Sequence, residues 1–297
     1  MQDRQDTIRH LSLCDGQAYA VAIDARDLVE HARQIHALSP TNTAALGRTM
    51  MGALLCASDI KWDRGDATVT IDGGGPAGKV IAIATPHGTV RGYVQYPQAD
   101  CPVRQADHKL DVSGVLGNQG SLTVIKDNGG EPYIGRVALQ SGEVAEDLAY
   151  YFALSEQRPC LVFLGVLVDV DGTVKSAGGL GVFPLPGCAE ATITALEHTI
   201  PLAGELSHML GEGIPMEVCL QHIFATLDAK QTQCIPACYQ CTCSRERMER
   251  ALLSMGEKDL REIIEQDGQA ELTCQFCHTR HQFTREQLTE LLEKARA

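Results

Sequence analysis

Along residues 17–23 apolar and polar positions alternate with the two-residue period of a strand. Residues 26–35 and 43–55 change to the helical period, the second stretch through Leu46, Met50 and Leu54. Alternation returns at 67–71, 79–85 and 89–96, with tight Gly-bearing turns between the runs. Residues 122–126 and 133–139 make another pair about Asn128-Gly129-Gly130, and 143–154 carries a helical stripe. Residues 161–168 and 173–177 close a hairpin about Asp171-Gly172. Turns this short demand antiparallel neighbours, which predicts an α+β class for residues 1–177.

The texture changes over residues 178–233. Ile193, Leu196 and Ile200 mark one amphipathic stretch, Ala203, Leu206 and Leu210 a second, and Met216, Leu220, Ile223 and Leu227 a third. Pro201, Gly204, Gly211, Gly213 and Pro215 interrupt them. Helices broken this often are marginal alone and need a packed neighbour, so the segment is expected to be a metastable helical linker.

Residues 234–297 predict a small third part. Ser244 is an N-cap for a stripe through Met248, Ala251, Leu252 and Met255 that Gly256 ends, and Leu260, Ile263 and Ile264 repeat the stripe up to Asp267-Gly268. Thr284 and Gln287 form a capping box for a last helix carrying Leu288, Leu291 and Leu292. The 57 residues from Cys241 onward hold few large apolar side chains, and such a unit needs a staple to fold.

The cysteines offer one. Cys241-Thr-Cys243, thirty residues, then Cys274-Gln-Phe-Cys277 present four sulfurs on two short turns, the donor set that Zn²⁺ takes tetrahedrally. A structural zinc contributes about 10–16 kcal/mol of apparent binding free energy, against roughly 5–15 kcal/mol for a whole domain. Zinc-binding thiolates also react with oxidants, so the site reads either as a permanent structural zinc or as a switch. Cys238-Tyr-Gln-Cys241 is a second C-x-x-C pair that spacing alone leaves open, and His278 and His281 are near enough to substitute as ligands. Cys14, Cys56, Cys101, Cys160, Cys188 and Cys219 read as small buried hydrophobes.

Composition narrows the function classes. A net charge of −13 and a pI near 5.2 disfavour nucleic acid and anionic membranes as partners. Residues 1–10 lack the apolar core of a secretion signal, and the longest apolar run, 160–168, is far too short to span a bilayer. Twelve cysteines without an export signal then point to metal or redox chemistry in the cytoplasm. The run from Gly73 to Lys79 nearly matches a phosphate-binding loop, but Val80 stands where a hydroxyl should hold Mg²⁺, and a strand follows; no nucleotide site is expected. No Ser/His/Asp constellation or His metal motif suggests an enzyme.

The cysteine pattern, together with Leu46-Gly-Arg48, residues 90–94 (VRGYV), residues 141–148 (SGEVAEDL), residues 151–157 (YFALSEQ) and Leu185-Pro-Gly187, resembles the bacterial redox-regulated heat-shock chaperones, the thirty-three-kilodalton chaperonin family. The likeness runs the length of the chain in order. It departs at Cys160 and His281, where the family pattern has a small hydroxyl residue and an aromatic. The resemblance implies an ATP-independent holdase of the stress response with three parts. These are a substrate-binding and dimerisation domain (1–177), a linker (178–233) and a redox-switch domain (234–297). It implies that Cys241, Cys243, Cys274 and Cys277 bind one zinc in a reduced, inactive form. It further implies that oxidants release the zinc and pair Cys241 with Cys243 and Cys274 with Cys277, after which the loosened protein, often a homodimer, captures unfolding clients.

Two other classes compete with that expectation. A zinc ribbon gripping nucleic acid would need a basic face, yet residues 241–297 hold nine Lys/Arg against eleven Asp/Glu. A dithiol oxidoreductase would place Cys274 at a helix N-terminus, whereas strand-like residues follow Cys277.

Overall fold

The computed structural model describes residues 5–294, which divide in sequence into two compact units between Gln240 and Cys241. Part of the polar N-terminal stretch, residues 1–4, and residues 295–297 lie outside the described residues.

The first half of unit one contains β1 (Thr7–Leu13), β2 (Ala18–Asp24), α1 (Arg26–His36), α2 (Pro40–Ala57), β3 (Asp66–Asp72), β4 (Val80–Ala84), β5 (Thr89–Val94), α3 (Val112–Leu116), β6 (Ser121–Asp127) and β7 (Tyr133–Ala138). After these come α4 (Ala145–Leu154), β8 (Leu161–Val168), β9 (Val174–Pro184), α5 (Glu190–Glu197), α6 (Ile200–Gly204), α7 (Leu206–Gly211), α8 (Met216–Ile223), β10 (Lys230–Pro236) and β11 (Cys238–Tyr239). Among the described residues the strands form two sheets, ordered β10-β1-β2-β9-β8 and β11-β5-β4-β3-β6-β7. All neighbours are antiparallel except β11 beside β5. The α+β class expected from the short turns is the one observed.

Helix α2 lies at the centre of this unit. Ser39 Oγ accepts from Asn42 N–H at 3.2 Å, and Pro40 fits the first helical position, where no N–H is needed. The sequence stripe Leu46, Met50 and Leu54 is only part of its buried surface, because every residue of α2 except Pro40 and Arg48 is buried. A helix enclosed all round loses its amphipathic signature. It packs on β3, β4 and β5 of one sheet and on β8 and β9 of the other. Close approach rests on small residues: a Cβ on Gly47 would stand 2.9 Å from a methyl of Val29 and 2.9 Å from one of Val166.

The first sheet is apolar on both faces. Ile8, Val21, Ile23, Leu164, Val166 and Phe183 face the core around α2. Leu11, Leu13, Ala20, Ala22, Leu180 and Val182 face a second core closed by Leu196, Leu206, Leu210, Met216, Leu220, Ile223 and Phe224. The packed neighbour that the interrupted helices α5–α8 require is therefore this outer sheet face.

Three elements depart from the sequence pattern. Strand β9 continues past Ala177 to Pro184, since residues buried on both faces, such as Leu180 and Val182 on one and Phe183 on the other, give no alternation to mark its end. Strand β1 runs through Arg9 and His10, whose charge and polarity hide its period. Strand β10 is almost wholly exposed and is held by backbone pairing to β1, a contribution that leaves no hydrophobic trace. The Gly-rich turn before Lys79 leads into β4 at Val80 and not into a helix.

Because the methyls of Val29 and Val166 flank Gly47 on two sides, Gly47→Ala should lower the stability of this unit by about 1–3 kcal/mol through overpacking. Urea unfolding followed by circular dichroism checks this, and an unchanged midpoint would show that the valines give way freely.

Candidate metal centre

The second unit consists of α9 (Arg245–Ser254), α10 (Glu257–Gln266), β12 (Gln269–Thr273), β13 (Arg280–Thr284) and α11 (Arg285–Lys294). Its local signals hold. Ser244 Oγ accepts from Arg247 N–H at 3.3 Å to cap α9, and Gly256 takes φ 97° where the chain turns into α10. Thr284 N–H donates to Gln287 Oε1 at 3.1 Å, the backward half of the capping box. The interior is small: Leu252, Leu260, Phe283, Leu288, Leu291 and Leu292 are the buried apolar side chains of its core.

Strands β12 and β13 pair with Leu272 opposite His281 and Thr273 opposite Arg280, and the loop between them carries Cys274 and Cys277. That loop is tightened by Cys274 N–H donating to Thr279 O at 3.0 Å and His278 N–H donating to Cys274 O at 2.9 Å. Cys241 and Cys243 come from the segment just before α9. Its position is fixed by Arg245, which stacks 4.3 Å from the Phe283 ring centre and donates to Gln282 O at 3.1 Å and Gln287 Oε1 at 2.7 Å.

These two segments bring the sulfurs of Cys241, Cys243, Cys274 and Cys277 within 4.8 Å of one another. Cys241 Sγ lies 3.7 Å from Cys274 Sγ, and Cys243 Sγ 3.4 Å from Cys277 Sγ. Metal–sulfur bonds of about 2.3 Å in a tetrahedron separate the sulfurs by about 3.8 Å, so the donor set and its spacing fit a thiophilic cation. Cys274 is buried and the other three are half-buried, which gives the site a closed side and an open one.

The thiols differ in acidity. Burial pushes Cys241 and Cys243 up. Burial also raises Cys277, but hydrogen bonding with the Thr279 side chain, whose Oγ1 lies 3.2 Å from the sulfur, and with its backbone prevails and holds it at about 7. One thiol is thus primed to carry charge, and Thr279 supports the cluster from behind.

The geometry bears on the ligand register. Cys238 is not in the sulfur cluster; it sits in β11, where its N–H donates to Gly88 O at 3.1 Å. Among the described residues no histidine joins the group. The Cys274–Cys277 turn joins two strands and does not open a helix. Of the other thiols, Cys56 and Cys219 are buried as expected, whereas Cys14, Cys101, Cys160 and Cys188 are half-buried and Cys234 and Cys238 exposed. Burial pushes Cys56 and Cys160 up to about 12. Arg245 and Thr279 escape a reading by spacing, since their role lies in contacts across the fold.

The structure defines a two-unit α+β protein whose smaller unit gathers four cysteines able to hold a metal ion. A family model described as Hsp33 protein matches residues 6–284. A 33 kDa chaperonin of Clostridium tetani is 40% identical over 279 residues, covering 94% of this chain and 95% of that protein. One of the same name from Clostridium perfringens is 43% identical over 286 residues, covering 94% and 88%. The crystal structure of the 33 kDa chaperonin (heat shock protein 33 homolog) of Thermotoga maritima matches with a TM-score of 0.87 at 36% identity, over 98% of this chain and 99% of that one. The chain belongs to the Hsp33 family. No helix among the described residues is long and apolar enough to cross a membrane.

With zinc supplied during expression, Cys238→Ser should keep one equivalent of metal per chain and Cys243→Ser should lose it, as read by atomic absorption. Metal loss in the first variant with retention in the second would move the site upstream.

Proposed function

We propose that this protein is a cytoplasmic, redox-regulated holdase that works without nucleotide, held inactive while Cys241, Cys243, Cys274 and Cys277 bind one Zn²⁺. The observation that carries the reading is the gathering of four thiols in a unit whose own core is six side chains deep. Such a unit depends on its ligands for its fold, and the ligands are oxidisable.

Each oxidation is a two-electron step. Two thiolates lose two electrons to form one S–S bond, while a peroxide takes those electrons with two protons, and its O–O bond breaks to give two waters. The pairs favoured are Cys241 with Cys243 and Cys274 with Cys277. Once the unit loosens, residues close in sequence meet at the least loop-closure cost. Sulfurs committed to disulfides no longer bind the cation, and the small core alone cannot hold the unit folded.

The effect passes to the first unit along the chain. Cys241 follows directly on the strap of β11 and β10, and β10 leads back to α8. Helices α5–α8 cover the outer face of the first sheet, so their release would bare Leu11, Leu13, Leu180 and Val182 together with the helices' own apolar sides. A contiguous apolar patch of that kind binds proteins that expose apolar surface of their own, and self-association of the same patch would give a homodimer. In this scheme residues 1–177 supply most of the client surface, 178–233 the releasable cover, and 234–297 the switch. The names of the relatives, 33 kDa chaperonin, agree with a client-binding role.

Light scattering of a heat-denatured client should be suppressed by peroxide-treated protein and hardly at all by the reduced, zinc-loaded form, with zinc appearing in a colorimetric assay as protection rises. Equal protection by both forms would sink the scheme. A chelator under reducing conditions should by itself make residues 241–294 protease-sensitive.

A further inference from the structure

One pair of thiols outside the metal centre sits on neighbouring turns. Cys14 lies in the turn between β1 and β2, and Cys188 in the turn that leads from β9 into α5. Gln17 laces the two turns together. Its N–H donates to Cys14 O at 3.1 Å, and its own carbonyl accepts from Leu185 N–H at 2.8 Å. Its side-chain oxygen accepts from Ala189 N–H and from the Thr192 hydroxyl, each at 3.0 Å. Strand register agrees, because Leu13 pairs with Ala18 and Ala18 with Pro184. Cys188 N–H donates to Leu185 O at 3.0 Å, which folds its turn back toward Gln17. Both thiols are half-buried. Burial pushes the Cys14 thiol up, and the proximity of Cys188 pushes it further. Cys14 N–H also donates to Leu227 O at 2.7 Å, so this one turn receives both ends of the helical segment that covers the sheet.

We infer that Cys14 and Cys188 form a second redox site, a thiol pair whose oxidation to a disulfide fastens the α5 end of the helical segment to the β1–β2 turn. One thiolate attacks a peroxide oxygen, the O–O bond breaks, and a sulfenic acid forms with release of the first water. The second thiol then displaces the sulfenic oxygen as a second water, and the S–S bond closes with two electrons and two protons transferred in all. The consequence is asymmetric. At Leu227 the segment is held to the turn by a hydrogen bond, which strand β10 can break as it peels; at Cys188 it is held covalently. The segment then swings about Cys188 and remains tethered beside the sheet it covered, poised to return when reductant cuts the bond. The bond stands independently of the chaperone reading, while the role of the tether rests on it.

The full-length reduced protein, treated with hydrogen peroxide, blocked with N-ethylmaleimide and digested with trypsin, tests the pair by mass spectrometry. A Cys14 peptide joined to a Cys188 peptide is expected, abolished by dithiothreitol before blocking and absent from Cys188→Ser. Both residues carrying maleimide at a peroxide dose that oxidises Cys241, Cys243, Cys274 and Cys277 overturns the site. Cleavage by chymotrypsin within residues 190–227 of the oxidised protein should be roughly tenfold faster in Cys14→Ser and in Cys188→Ser than in the unaltered chain. Equal rates overturn the fastening. Failure of client protection in a chain that still forms the cross-link counts against the chaperone reading alone.

Discussion

Four sulfurs within 4.8 Å of one another can all be anionic only with a cation between them, and that constraint governs the smaller unit. Its hydrophobic interior is too slight to close the chain unaided, so the segment before α9 and the hairpin of β12 and β13 are joined by the cysteines and by Arg245 on Phe283.

The larger unit answers to a different constraint. A helix surrounded on every side must be lined with small residues, and α2 meets that demand with Gly47, Gly52 and a run of alanines under both sheets. Cys56 lies within this core, and burial pushes its thiol up to about 12. The first sheet, apolar on both faces, joins this core to a second one beneath α5–α8. The short helices there are broken by Pro201, Gly211 and Pro215, and they pack as a group on the outer face of the sheet.

Much of the candidate site was legible in one dimension. The spacing of Cys241, Cys243, Cys274 and Cys277, the cap at Ser244 and the box at Thr284 and Gln287 are local chemistry, and local chemistry is written in consecutive residues. What stayed hidden were contributions without a hydrophobic signature. Strand β10 is exposed over most of its length and is held chiefly by backbone pairing with β1, and Thr279 acts through one hydroxyl beside Cys277.

Sequence by itself determined the α+β class, the helical texture of the middle segment and the need for a staple in the last one, because period, capping and apolar content act over a few residues. The tertiary structure gathers Cys241, Cys243, Cys274 and Cys277 into one cluster and pairs Cys238 in a strand with Thr89. It also decided that the neighbour of α5–α8 is the outer face of the first sheet, and that Gln17 links the turn of Cys14 to the turn of Cys188. Such outcomes depend on which surfaces the chain brings together after long excursions, and no window of neighbouring residues contains that information.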